Sequence, residues 1–243
     1  MTHALDRPVW MSLTTHHASL SEGNALARRF ARDVNLFASA RDESPEAIAA
    51  LADLVGPEES VFLLQAPKIN VPTGLDVVKV AEGVQMVAAP SSAFSGTRDD
   101  MLKLDNKDAP EMLALATLTE PGPFLTRTHA MGTFLGIRID GQLAAMAGER
   151  MRFPGYTELS GVCTHPRFRG RGLARRLSAA VAADIQARGD QIFLHAWKAN
   201  HAAITLYETL GFKVRTEVNV VVLQRRLAAD TWPGYGDGRT GCS

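Results

Sequence analysis

The chain has only two cysteines in 243 residues, Cys163 and Cys242. That excludes a disulfide framework, and their spacing matches no zinc module. It has no charge excess either: 26 Lys and Arg stand against 26 Asp and Glu. Dedicated nucleic-acid binders carry a basic surplus, so no nucleic acid is expected as a partner. No apolar run approaches the ~20 residues that span a bilayer, and Met1–Pro8 lacks the basic start and apolar block of a secretion signal. No spacing repeats along the chain. A soluble, reduced, cytoplasmic protein without a membrane partner is the expectation. What is present is ordinary for a globular protein, 46% hydrophobic and 21% charged residues. The length suits one large domain or two smaller ones.

The clearest break in composition is Ala89-Pro-Ser-Ser-Ala-Phe-Ser-Gly-Thr-Arg98, whose Pro, Ser and Gly favour turns, and it places a boundary at 98. Residues 1–98 then form an N-terminal α/β region, 99–228 a second domain, and the Gly-rich 229–243 a flexible tail. In the first region, Ser19-Leu-Ser-Glu22 has capping-box spacing, and Leu26, Phe30, Val34 and Phe37 follow at helical intervals, predicting a helix. Ser44-Pro45 predicts the start of another, with Ile48, Leu51 and Leu54 on its stripe and Gly56 at its end. Val61–Leu64, Val77–Val80 and Val84–Val87 read as strands, the last two as a hairpin around Ala81-Glu-Gly83. His16-His17 reads as a solvated loop pair.

In the second domain a helix is predicted at Ala109–Ala116, and strands at Gly132–Ile139, Leu143–Met151 and Thr157–Thr164, with Asp140-Gly141 as a turn. Helix and strand then alternate: Arg171–Arg188 helical, Gln191–Trp197 extended, Asn200–Leu210 helical, Phe212–Arg225 extended. Antiparallel strands leading into β-α-β-α-β predict a mixed α/β sheet. His195 reads as a hydrogen-bonded core residue, with Phe193 and Trp197 as packing beside it. Cys163 and His165 lie two apart on a strand, which makes no metal site without further ligands, so no metal is expected.

The segment with chemical content is Thr164-His-Pro-Arg-Phe-Arg-Gly-Arg-Gly-Leu-Ala-Arg-Arg-Leu177. A strand ends, a turn holds Gly170 and Gly172, and a helix begins with Leu173, Leu177, Val181 and Ile185 on one stripe. Glycines there let a ligand approach the backbone, and the helix start supplies free N–H groups. Arginines 167, 169, 171, 175 and 176 crowd the turn with no acid between His165 and Ala183. Cations at a helix N-terminus oppose its dipole, so their placement makes sense around an anion. The spacing fits neither the P-loop nor the dinucleotide fingerprint.

Arg167-x-x-Gly170-x-Gly172, after a strand and before a helix, resembles the acetyl-CoA motif of the GNAT (Gcn5-related N-acetyltransferase) family. Downstream, Asn200-His-Ala-Ala-Ile-Thr-Leu-Tyr-Glu-Thr-Leu-Gly-Phe212 is similar to that family's second landmark helix. The resemblance covers Thr157–Arg225, extends upstream to about Asp105, and is nearest to the FR47-like members; residues 1–98 carry none of its motifs. It implies an α/β (α+β) fold with a mixed, largely antiparallel central sheet and flanking helices, preceded by the smaller N-terminal region.

Residue by residue, the resemblance implies that Arg169, Gly170, Arg171, Gly172, Leu173 and Ala174 take the pyrophosphate of coenzyme A, with Arg167 opening the motif. Val162, Cys163 and Thr164 would pair with the pantetheine arm as with an added strand. Asn200 would cap its helix and touch the arm, and Ala203 would allow close approach. Tyr207 would protonate the departing thiolate, whose pKa of about 8.5 lies below that of a phenol. Glu158 would be the general base or a substrate anchor, sharing a strand face with positions 160, 162 and 164. A Val162 or Cys163 N–H would stabilise the oxyanion. The implied co-substrate is acetyl-CoA and the implied acceptor a primary amine on a small molecule, peptide or protein, the enzyme being a monomer or homodimer. A non-catalytic acetyl-CoA sensor is the alternative; an Arg-rich nucleic-acid contact is a third reading that zero net charge opposes.

Overall fold

The computed structural model describes residues 3–89, 92–95 and 98–225; the predicted tail 229–243 lies outside them. The described residues form eleven strands and five α-helices. Helix α1 (Pro8–Thr14) is followed by β1 (Ser21–Gly23), β2 (Ala27–Phe30) and β3 (Ala38–Ala40), then α2 (Pro45–Asp53), β4 (Ser60–Gln65), β5 (Leu75–Ala88) and β6 (Met101–Leu104). After α3 (Ala109–Thr119) come β7 (Phe134–Ile139), β8 (Gln142–Phe153), β9 (Tyr156–Thr164), α4 (Leu173–Ala187), β10 (Gln191–Trp197), α5 (His201–Thr209) and β11 (Phe212–Arg225). Strands β1–β3 form a small antiparallel sheet. The other eight form one sheet in the order β4-β11-β5-β10-β9-β8-β7-β6, antiparallel throughout except for β9 beside β10.

The boundary expected at residue 98 therefore falls inside one sheet. Strand β5, from the N-terminal part, lies between β10 and β11 and pairs with both. Its two apolar runs are one strand rather than a hairpin, because β11 runs alongside from Ala88↔Phe212 to Leu75↔Arg225 and pairs with Ala81, Glu82 and Gly83. The helix expected after Ser19 is absent. Leu26, Phe30, Val34 and Phe37 lie on short strands and turns, where tertiary packing overrides helical spacing. His17 is buried, not solvated: it shares a hydrogen bond with Ser12 Oγ and one with the Met131 carbonyl. The start at Ser44 holds, with the Ser44 hydroxyl accepting from the Ala47 N–H.

Helices α4 and α5 cover one face of the large sheet. Leu173, Leu177, Val181 and Ile185 of α4 and Tyr207 of α5 pack there on Ile137, Ala145, Leu159, Ile192 and Leu194. Helix α1 covers the other face over Met151, Phe153 and Phe193, α2 seals β4 and β11, and α3 lies over Phe134, Met146 and Cys163. Gly148 marks the tightest point of the last layer. A Cβ there would stand 2.4 Å from the buried Phe134 ring. Gly148→Ala is expected to lower unfolding stability by about 1–3 kcal/mol through overpacking, measured by urea denaturation.

Candidate active site

Strands β9 and β10 are hydrogen-bonded only at Tyr156↔Gln191, Thr157↔Ile192 and Glu158↔Phe193. Beyond these pairs β10 continues along β5 to Trp197↔Gly83, whereas β9 continues along β8 to Thr164↔Ala145. The two strands part, and among the described residues the edge of β9 that faces β10 has no strand partner from Leu159 onward. Three steps of β9, Ser160 to Cys163, oppose two of β8, Gly148 to Met146. This bulge centres on Gly161, whose φ of 62° is left-handed and whose Cβ would stand 2.8 Å from Phe134 Cε1. The extra residue shifts the alternation of the strand. Leu159 and Val162 both pack toward α4, so the single face expected for positions 158, 160, 162 and 164 does not exist.

A groove of about 410 Å³ runs from this opening to the start of α4. Val162, Cys163, Thr164, Arg169, Gly170, Gly172, Leu173, Ala174, Ala203 and Tyr207 line it, so ten residues from the sequence reading meet on one surface. Gly170 and Gly172 are left-handed, at φ 77° and 71°, with open space where a Cβ would project. No side chain caps α4, so its first amides face the groove. The Thr164 hydroxyl, buried in the same wall, has no hydrogen-bond partner among the described residues. Arg169 and Arg175 line the groove without an acidic partner among those residues. Arg167 and Arg171 lie outside the lining, each stacked over Phe168 with its guanidinium 5.6 and 5.4 Å from the ring centre. Arg176 is turned away to Asp100. Free amides, an orphan hydroxyl and unpaired arginines fit an elongated, phosphate-bearing ligand.

A second cavity, of about 180 Å³, opens on the far side of the parting strands. It meets the groove at four shared wall residues, Thr119, Val162, Ala203 and Tyr207. Tyr207 is 8% exposed, and its hydroxyl has no hydrogen-bond partner among the described residues. Burial, with the Cys163 and Glu158 side chains adding to it, pushes its pKa up, so the phenol keeps its proton. Burial likewise pushes the Cys163 thiol up to about 12, which disfavours the thiolate at that position. Asn200 caps α5, its side chain accepting from the Ala203 N–H, and lines the second cavity rather than the groove.

Glu158 lines neither space. It is fully buried, and Arg150 donates to both its oxygens, from Nε at 2.8 Å and Nη2 at 2.7 Å. His195 Nδ1 lies 2.8 Å from the same carboxylate. Burial raises the carboxyl pKa, but the Arg150 charge and fork, with the His195 hydrogen bond, outweigh it and hold the group at about 2. A carboxylate so held is a weak proton acceptor and lines neither space, so its contacts are those of an anchor for Arg150 and His195. The His195 ring is spoken for at both nitrogens, since Nε2 meets the Gln85 amide at 3.1 Å. The sequence reading missed Arg150, Glu120 and the 120–123 loop in the second cavity's wall. Only Pro121-Gly-Pro123 signalled that loop. Nothing local marked Arg150, whose strand bulges between Glu149 and Arg152 and presents it to Glu158. Among the described residues no group of three or more His, Cys, Asp or Glu could hold a metal ion, and no helix is long and apolar enough to cross a membrane.

A family model described as FR47-like protein matches residues 134–221. Over 62 residues the chain is 47% identical to mycothiol acetyltransferase of Thermobispora bispora, which covers 25% of this chain and only 20% of that protein's length. A crystal structure from Novosphingobium aromaticivorans, assigned to the GNAT family, is 42% identical, covers 93% of this chain and all of that one, and superposes with a TM-score of 0.86. A GCN5-related N-acetyltransferase of Kribbella flavida shares the fold at 16% identity, with a TM-score of 0.65 over 94% of this chain and 98% of that one.

The buried ion pair makes its own test. Its carboxyl is depressed from 4.5 to about 2 in the folded state, so the pair stabilises fully above about pH 4.5 and that stability is lost as pH falls through about 2. Glu158→Gln is expected to cost about 3–5 kcal/mol at neutral pH by stranding Arg150. Denaturation curves across pH should show the gap from wild type closing toward pH 2.

Proposed function

The chain belongs to the GNAT family, and on that premise we propose that it is an N-acetyltransferase that moves the acetyl group of acetyl-CoA to a primary amine. The observation that carries this reading is the junction of the two cavities at Tyr207 and Val162. One cavity has the length and the free amides for the coenzyme, and the other opens from the opposite side for the acceptor. The Gly170–Ala174 amides and Arg169 take the pyrophosphate, while the free edge of β9 at Val162–Thr164 takes the arm as an added strand. Asn200 and Ala203 bound the place where the arm meets the acceptor.

The amine nitrogen forms a bond to the thioester carbonyl carbon, and the carbon–sulfur bond breaks. The bulge at Gly161 turns the Val162 amide, on the edge of β9 away from β8, toward the oxygen that gains charge. Desolvation disfavours a thiolate in this wall, as the neighbouring Cys163 thiol reports. Sulfur therefore leaves with a proton, which Tyr207 supplies. Glu120 is the one carboxylate in the acceptor cavity wall among the described residues, and it has neither ion pair nor hydrogen bond there. We assign it, rather than Glu158, the uptake of the amine proton through solvent. The N-terminal part supplies Phe37, Phe62 and Leu64 to that wall, which gives residues 1–98 a role on the acceptor side.

Acetyl-CoA with a panel of amines, followed by mass spectrometry and thiol release, tests the activity. Coenzyme binding without turnover of any amine would leave a sensor instead. Tyr207→Phe is expected to lower kcat about a hundredfold while the Kd for coenzyme A stays unchanged; an unaltered kcat would return the residue to packing. Gly170→Val is expected to weaken coenzyme binding, because a branched side chain resists φ of 77° and projects into the groove.

A further inference from the structure

Arg150 is 8% exposed and uses two of its three terminal nitrogens on Glu158. The third, Nη1, has no acceptor among the described residues. It lies under the 120–123 loop, 3.6 Å from where a Cβ on Gly122 would stand, in the wall of the acceptor cavity. Nη1 is thus the one guanidinium nitrogen of Arg150 left without a protein acceptor among the described residues, and its N–H groups are free to meet a ligand oxygen that enters the cavity. The guanidinium cannot swing away. The fork to Glu158 fixes its plane, and the Phe37 ring lies 4.9 Å from its centre.

The partner's chemistry follows from charge and space. Glu158 already balances the charge of Arg150, so Nη1 offers a directed donor inside a neutral pair rather than a net positive site. That suits a single carbonyl-type oxygen, and the buried carboxylate behind it opposes a dianion such as a phosphate. The cavity, at about 180 Å³, is below the range of about 300–1,000 Å³ usual for drug-sized ligands, so the amine at the Thr119–Val162 junction and the oxygen at Arg150 belong to one small group. Phe37, Phe62, Leu64 and Val220 in the same wall leave an apolar space for the remainder.

We infer that the acceptor is an α-amino carbonyl compound with an apolar side chain, whose carbonyl or carboxylate oxygen is received by Arg150 Nη1. This rests on the acetyltransferase reading and narrows it; Arg150 acts here as a specificity residue. The test uses the full-length protein, acetyl-CoA and three acceptors with one side chain: phenylalanine, phenylalaninamide and phenethylamine. Rates are corrected for the neutral fraction of each amine. The expected result is a kcat/KM for phenethylamine at least about tenfold below the better of the other two, the loss of one charge-assisted hydrogen bond. The ranking of acid against amide tells which source of the oxygen the site prefers. Equal use of all three would overturn the inference while leaving the acetyltransferase reading standing. Failure of every amine in the panel would overturn both. Arg150→Lys keeps a cation for Glu158 but loses the fork. It is expected to shrink the discrimination between phenylalaninamide and phenethylamine toward one with the Kd for coenzyme A unchanged, and retained discrimination would count against Arg150.

Discussion

Strands β9 and β10 are neighbours that pair over three residues and then follow different partners, and most of what is distinctive in this molecule depends on that separation. Sheet hydrogen bonding is close to obligatory for buried backbone, so a strand edge released in mid-sheet has to be satisfied by something else. Here the release is imposed from both sides: β5 holds β10 as far as Trp197, and β8 holds β9 as far as Thr164. The opening thus belongs to the register of the whole sheet and not to a loop. It puts Val162 and Tyr207 in contact with two separate spaces that would otherwise be divided by continuous sheet.

Behind the opening, polar chemistry is arranged in depth. Arg150, Glu158 and His195 are bound to one another and, through Gln85, to Arg215, which in turn meets Asp6 near the start of the chain. Arg215 reaches Gln85 because β11 bulges between Val214 and Thr216. Two bulges, at Arg150 and at Arg215, therefore each turn an arginine out of regular alternation and into this buried chain. A charge so enclosed is costly alone and tolerable in company, which explains why Glu158 stays ionised inside the fold. The same low-polarity surroundings keep the phenol of Tyr207 and the thiol of Cys163 protonated.

The glycine-rich turn, the helix it launches and the Asn200–Phe212 landmark were legible because their information is local. A left-handed glycine, a cap and an apolar stripe each declare themselves within a few residues. The strands β10 and β11 were readable to their ends for the same reason. Glu158 was misjudged because alternation along β9 holds only until Gly161, and a bulge is a relation between two strands that one strand's sequence does not display. Arg150 and Glu120 escaped notice because the wall they share is assembled from distant parts of the chain: Phe37, β4, β5, the loop after α3, β8 to β11 and α5. The apparent break near residue 98 misled in the opposite direction. A Ser- and Gly-rich stretch in a sequence cannot tell whether the strands before and after it share a sheet.

The position of β5 carries a consequence for how this chain acquires its form. A strand completed within the first 88 residues waits for both of its neighbours, which are made more than 100 residues later. Until they arrive its two edges are open, and Val77, Val78 and Val80 are exposed even in the finished protein. Contacts of such sequence separation are slow to form, since closing long loops precedes any gain from pairing. Until then the N-terminal third carries a strand whose two pairing edges await residues from the far end of the chain. A fragment beginning at residue 99 would face the converse difficulty, since it lacks β4 and β5 and leaves β11 without either sheet partner and β10 without one.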